Sequence, residues 1–133
     1  MEKRSLAALI APLLMLSASQ SSAHEMTPAY PQMKPTSVDG VVKFEMSLFN
    51  ARDDVDWFMI GAFDKDFNPR RFATESSVVH VKHNERANIN VYFRKQDVGE
   101  TVYICTQSKL RGEAADIAMV ASTICSRIDG ERP

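Results

Sequence analysis

Three histidines, two cysteines and a short acidic cluster are the side chains of this sequence best able to do chemistry. If a leader is removed after Ala23, His24 becomes the first residue, and its free α-amine and imidazole can chelate one metal ion together. His80-x-x-His83 would supply further nitrogen ligands, and nitrogen-rich sets of this kind suit copper(II). The simpler expectation is that His24 lies in a frayed end while His80 and His83 flank a surface turn, pointing apart if a strand ends between them. Copper binding through His24, His80 and His83 is therefore the alternative reading. Asp53, Asp54 and Asp56 lack the glycine and terminal glutamate of a calcium loop and read as a solvated connection. Of Met26, Met33, Met46, Met59 and Met119, only Met46 falls on the apolar face of a clear strand, and the others show no clustered spacing that would suit copper(I). The chain has no G-x-S-x-G elbow, no H-E-x-x-H and no glycine-rich phosphate loop. A non-enzymatic role is expected.

The elements that must position these residues begin with a leader. Lys3 and Arg4 precede an apolar run of eleven residues, Leu6 to Leu16, followed by the small polar stretch Ser17 to Ala23. That order is a secretory signal peptide over residues 1–23, with Ser21 and Ala23 at the −3 and −1 positions of a cleavage site. The run is well short of the roughly 20 residues that span a bilayer, and no later segment is apolar and long enough to do so. Removing 23 of the 133 residues leaves 110, enough for one domain over residues 24–133. With 16 basic against 17 acidic residues and no long run of either sign, the chain lacks the basic excess of a phosphate-backbone binder, and nucleic acid is a poor fit. An exported domain, periplasmic or secreted, meets an oxidising compartment, so Cys105 and Cys125 are expected to close a disulfide. They are too far apart for a C-x-x-C redox motif, and no histidine lies near either in sequence.

Period-two alternation dominates the mature region. Val42, Phe44, Met46 and Leu48 share one face, with Lys43, Glu45 and Ser47 on the other. After the polar connection Asn50 to Asp54, Val55 to Phe63 is a nearly continuous apolar run that predicts a strand at the centre of a sheet. Asp64 to Pro69 supplies turn residues. A short strand follows over Ser77 to Lys82. Ala87, Ile89, Val91 and Phe93 then alternate with Asn88, Asn90, Tyr92 and Arg94, and Lys95 to Glu100 turns through Gly99. Thr101 to Gln107 is β-rich, Lys109 to Ala118 favours a loop or helical turn, and Met119 to Ile128 is strand-like again. Pro28, Pro31 and Pro35 confine the first segment to a sheet edge. Six or seven short strands at this spacing predict an all-β, immunoglobulin-like β-sandwich. Its cysteines depart from the antibody pattern, because Trp57 precedes both and the bridge joins the last two strands.

In this order of features the chain resembles the N-terminal domain of the PapD-like periplasmic pilus chaperones. The resemblance rests on the Pro-broken first strand, the Val41-to-Phe49 strand ending in Asn50, the opening Val55-Asp56-Trp57-Phe58, and Glu85-Arg86 before Ile89 to Arg94. It spans roughly residues 26–128. It implies edge strands that pair with an extended segment of a partner, such as a pilus or surface-assembly subunit. It also implies that Lys34 and either Lys109 or Arg111 anchor that partner's terminal carboxylate. The family's second domain has no counterpart here, so the implied protein is a single-domain relative with a binding or assembly role and no cofactor.

Overall fold

Alternation along 41–50 builds the strand that organises the first sheet. In the computed structural model, which describes residues 23–109 and 121–130, Val42, Phe44, Met46 and Leu48 of β3 (Val41–Asn50) are all buried. On one side β3 pairs antiparallel with β6 (Arg86–Arg94) over nine residues. Its other edge carries two short strands in line, β1 (His24–Thr27) and β2 (Lys34–Pro35). The second sheet runs in the order β5 (Val78–His80), β4 (Trp57–Phe63), β7 (Tyr103–Ser108) and β8 (Thr123–Arg127), all antiparallel. One short helix, α1 (Lys95–Val98), stands where the sequence predicts a turn. The predicted all-β sandwich is present.

The core forms where the inner faces meet. Ile89, Val91 and Phe93 of β6 join the β3 side chains against Phe58, Ile60 and Ala62 of β4 and Ile104 of β7. Phe44 and Phe93 meet edge to face at 5.8 Å, a favoured aromatic arrangement. Strand β4 lies inside its sheet as predicted, yet only one of its faces is buried. Trp57, Met59 and Phe63 point outward, and Met59 is 41% exposed.

Chain crossings close both flanks of the sandwich. After Thr27 and a cis bond to Pro28, the chain leaves β3 and reaches β8, where Arg127 N donates to Ala29 O at 2.8 Å and Ser126 Oγ to Pro28 O at 2.8 Å. It then returns to the first sheet as β2. On the opposite flank, residues 69–77 cross from β4 to β6, and Ala73 exchanges two backbone bonds with Tyr92 at 2.9 and 2.8 Å. Cys105 and Cys125 face each other across β7 and β8 and are disulfide-bonded. The final strand is shorter than the sequence predicts, and most of the predicted loop before it lies outside the described residues.

Candidate functional site

Register decides which backbone groups of β8 are available. Ser108 N donates to Ser122 O at 2.9 Å and Ile128 N to Val102 O at 2.8 Å, so the even-numbered residues of β8 bond β7. In an antiparallel ladder the alternate residues turn their N–H and C=O groups away. Those residues are Thr123, Cys125 and Arg127. Arg127 N is taken by Ala29, whereas the outward groups of Thr123 and Cys125 meet no strand among the described residues. Strand β1 runs beside this edge and is tied to the β8 side at both ends, by Pro28–Ala29 at one and by His24 at the other.

The His24 end is a buried polar network. His24 is 1% exposed, far from the frayed position expected of it. Its Nε2 lies 3.1 Å from Thr106 O and 2.9 Å from Thr106 Oγ1, and its Nδ1 lies 2.8 Å from Ser122 Oγ. A carbonyl only accepts, so Nε2 carries the proton and Nδ1 accepts from the Ser122 hydroxyl. Arg52 reaches the same place from the β3–β4 connection. It forms a two-pronged bond to Asp54 at 2.7 and 2.6 Å, and its Nη1 lies 3.3 Å from Ser108 Oγ and 3.4 Å from Ser122 Oγ. Four segments remote in sequence are thus pinned where β8 begins.

Burial pushes the His24 imidazole below its ordinary value of 6.5; the Thr106 carbonyl opposes the shift and the Arg52 charge adds to it. The unfolded chain therefore takes up this proton at higher pH than the folded one. His24 contributes stability above pH 6.5 that is lost as pH falls below 6.5 toward the lowered folded value. Urea midpoints should drop between pH 7.5 and pH 5.5, and His24→Gln should flatten that dependence. An equal drop in the variant would assign the effect elsewhere.

The other residues singled out by sequence are scattered. Lys34 on β2 bonds Glu45, which also holds Lys43 at 2.8 Å; the hydrogen bonds from Lys34 and then Lys43 hold the Glu45 carboxyl down at about 2. Lys34 stands opposite Lys43, seven residues along β3 from Asn50, a span of roughly 23 Å. Lys109 lies at the far end, where its N–H donates to Trp57 O at 2.7 Å. Lys34 and Lys109 therefore do not form one carboxylate clamp, and Arg111 lies outside the described residues. His80 is exposed, bonded to Asp56 Oδ2 at 2.7 Å and stacked on Trp57, while His83 is exposed in the following turn. With His24 inside the sandwich, the three histidines do not converge. No group of three His, Cys, Asp or Glu side chains able to hold a metal occurs among the described residues.

Sequence reasoning missed Arg127, which pairs with Asp129 at 2.8 Å. The two line an open groove of about 490 Å³ with Tyr30, Met33, Phe44 and Ile128, at the end of β8 away from His24. No local pattern distinguishes this arginine from the other basic residues. The walls of the groove come from the segment of residues 30–33, the end of β8 and the α1–β7 connection, which are remote from one another in sequence.

The sandwich has a counterpart among solved structures. The crystal structure of the E. coli chaperone DraB superposes with a TM-score of 0.59 over 80% of this chain, at 11% identity. The fold is PapD-like. The chain spans about half of that chaperone's length, the match covering 53% of it. No family model matches the sequence, and no curated protein matches it.

Proposed function

We propose that this protein is an exported, non-enzymatic, chaperone-like binding domain that receives an extended segment of a protein partner along the outer edge of β8. The carrying observation is the outward backbone of Thr123 and Cys125, hydrogen-bonding groups that a donated strand would pair while its alternate side chains read the neighbouring surface. The PapD-like fold, a disulfide and the sequence of residues 1–23 support work in an oxidising compartment outside the cytoplasm. No helix among the described residues is long and apolar enough to cross a membrane. Carboxylate anchoring by Lys34 together with Lys109 is set aside, because the two stand at opposite ends of the sandwich.

A photo-crosslinking side chain at Thr123 in the exporting cell should capture a second exported protein through an extended segment. The same group at Val78, on the opposite edge of the sheet, should not. Thr123→Pro removes an outward N–H and leaves the β7 ladder intact, since proline is tolerated on an edge with its nitrogen facing out. Capture from both edges alike, or capture indifferent to that proline, would remove strand addition at β8.

A further inference from the structure

Strand β1 is a short element held at both ends. Glu25 and Thr27 stand opposite Phe49 and Ser47 of β3. Asn50 N donates to Glu85 O, so the even-numbered residues of β3 bond β6 and the odd-numbered ones bond β1. Those two residue pairs make up the ladder of β1. At one end the chain crossing at Pro28 and Ala29 ties it to β8. At the other end His24, 1% exposed, is inserted between Thr106 and Ser122. Met26, between the two ends, packs into the core.

Among the described residues no carboxylate bonds the His24 imidazole. Asn50 stands opposite it on β3, the Phe58 ring of β4 lies 4.8 Å away, Thr106 comes from β7, and Ser122 stands just before β8. The charged groups beside it belong to the β3–β4 connection. Arg52 Nη1 lies 3.4 Å from Ser122 Oγ, the hydroxyl that His24 also uses. Asp54 is engaged by the Arg52 guanidinium, and Asp53 acts on the same cation. Glu25, next along β1, is exposed on the outer face. An α-amine formed by cleavage after Ala23 would add positive charge at this end. A second ring proton turns Nδ1 from acceptor into donor. The imidazolium and Arg52 then converge on one hydroxyl oxygen inside the sandwich, where a charge without a partner is costly.

We propose that His24 is an acid-sensitive catch, which fastens β1 to the start of β8 in neutral solution and leaves its pocket in acid. Strand β1 then peels back from the His24 end, while Pro28 and Ala29 keep the other end on β8. Histidine is the side chain whose charge changes in this range. The burial that holds this imidazole below 6.5 gives the direction, since protons favour the released form. Release also withdraws one anchor from Ser122, the residue before Thr123, which keeps its bonds to Ser108. The consequence for partner binding rests on strand addition at β8: acid loosens the edge that receives the segment. The catch itself does not depend on that reading.

Amide exchange of the disulfide-closed mature protein alone, expressed as protection factors at about pH 7.5 and pH 5.5, tests the catch. Glu25 and Thr27 should be less protected than Phe44 and Val91 at both values, because β1 opens without the rest of the sandwich. Their protection should fall between the two by at most about tenfold, the limit for one proton taken up below 6.5. His24→Gln should remove the fall, since its amide donates to Thr106 and accepts from Ser122 without gaining a charge. A terminal α-amine, titrating at about 7.7–8.0, is common to both proteins and cancels in the comparison. If the variant folds poorly, NMR of the His24 ring in the parent protein follows the same step, and its titration should track the loss at Glu25 and Thr27. Protection of β1 equal to that of the core strands at both values, or unchanged between them, would overturn the proposal. Photo-crosslinking from Thr123 in the exported fraction should weaken at the lower pH and hold in His24→Gln, and capture equally strong at both would overturn the hold of the catch on the edge. Capture absent at both would count against strand addition alone, because exchange of the free protein decides the catch.

Discussion

Asn50→Ala should leave much of the population unfolded under conditions where the parent protein is native. Asn50 is 0% exposed, and its amide serves three backbone groups at once. Nδ2 donates to Val55 O and Val81 O at 2.8 Å each, and Oδ1 accepts from Arg52 N at 2.9 Å. Truncation strands two buried carbonyls and one buried N–H, each costing about 1–3 kcal/mol when left without a partner. A total loss of about 3–9 kcal/mol is a large share of the about 5–15 kcal/mol that holds a typical domain. Asn50→Asp tests the mechanism, because it keeps the shape and the acceptor but aims a carboxylate oxygen at two carbonyls. It should be nearly as damaging, whereas Asn88→Asp on the exposed face of β6 should cost little. Denaturant midpoints measure all three, and a loss below about 1 kcal/mol for Asn50→Ala would refute this assignment.

Asn50 also shows where sequence reading stops. The alternation of Val42, Phe44, Met46 and Leu48 locates β3, because a strand's side-chain period of two is a local property. The same holds for Ile89, Val91 and Phe93. The role of the polar residue at the end of β3 depends on carbonyls at Val55 and Val81, brought together only by the turn at Asn84 and by the second sheet. His24 is the extreme case. Nothing near it in sequence opposes a frayed end, and its partners Thr106 and Ser122 lie 82 and 98 residues away. Arg52 reads as part of a solvated connection because its burial by Ser108 and Ser122 is equally remote.

The candidate site divides along the same line. Prolines 28, 31 and 35 make the first segment an edge by a local rule, since proline cannot donate to a ladder. Which outward groups of β8 stay open depends on register, and register follows from pairings that no short window contains. Separation of Lys34 from Lys109 likewise follows from strand order. The apolar run at 55–63 illustrates the converse. Continuous hydrophobicity predicts a strand at the centre of a sheet, and β4 is central, but the period-two geometry of a strand turns Met59 to the outer face while Phe58 and Ile60 face the core.

Opening the Cys105–Cys125 bond should free β8 before the rest of the sandwich unfolds, and with it the edge on which the proposed function depends. In the oxidised mature protein, mass spectrometry should find the two cysteines linked, two mass units below the reduced form. The bond closes a loop across a sequence separation of 20, and on the chain-entropy view its removal costs about 3 kcal/mol. That cost falls unevenly. Strands β3 and β6 keep their nine-residue pairing and the apolar cluster between the sheets. Strand β8 pairs on one side only, and beyond that it is tied to the first segment by Arg127 N to Ala29 and Ser126 Oγ to Pro28. Its inward residue Ile124 is only partly buried. Amide exchange on Cys125→Ser should therefore show early loss of protection at Ile124, Ser126 and Ile128, whose N–H groups face β7, while Phe44, Met46 and Val91 stay protected. Partner capture at Thr123 should fall in parallel, because a strand that is no longer held extended cannot present the outward groups of Thr123 and residue 125 in register. Uniform loss of protection across all strands would mean that the disulfide holds the whole fold rather than its edge, and undiminished capture by the serine variant would mean that the partner does not read β8.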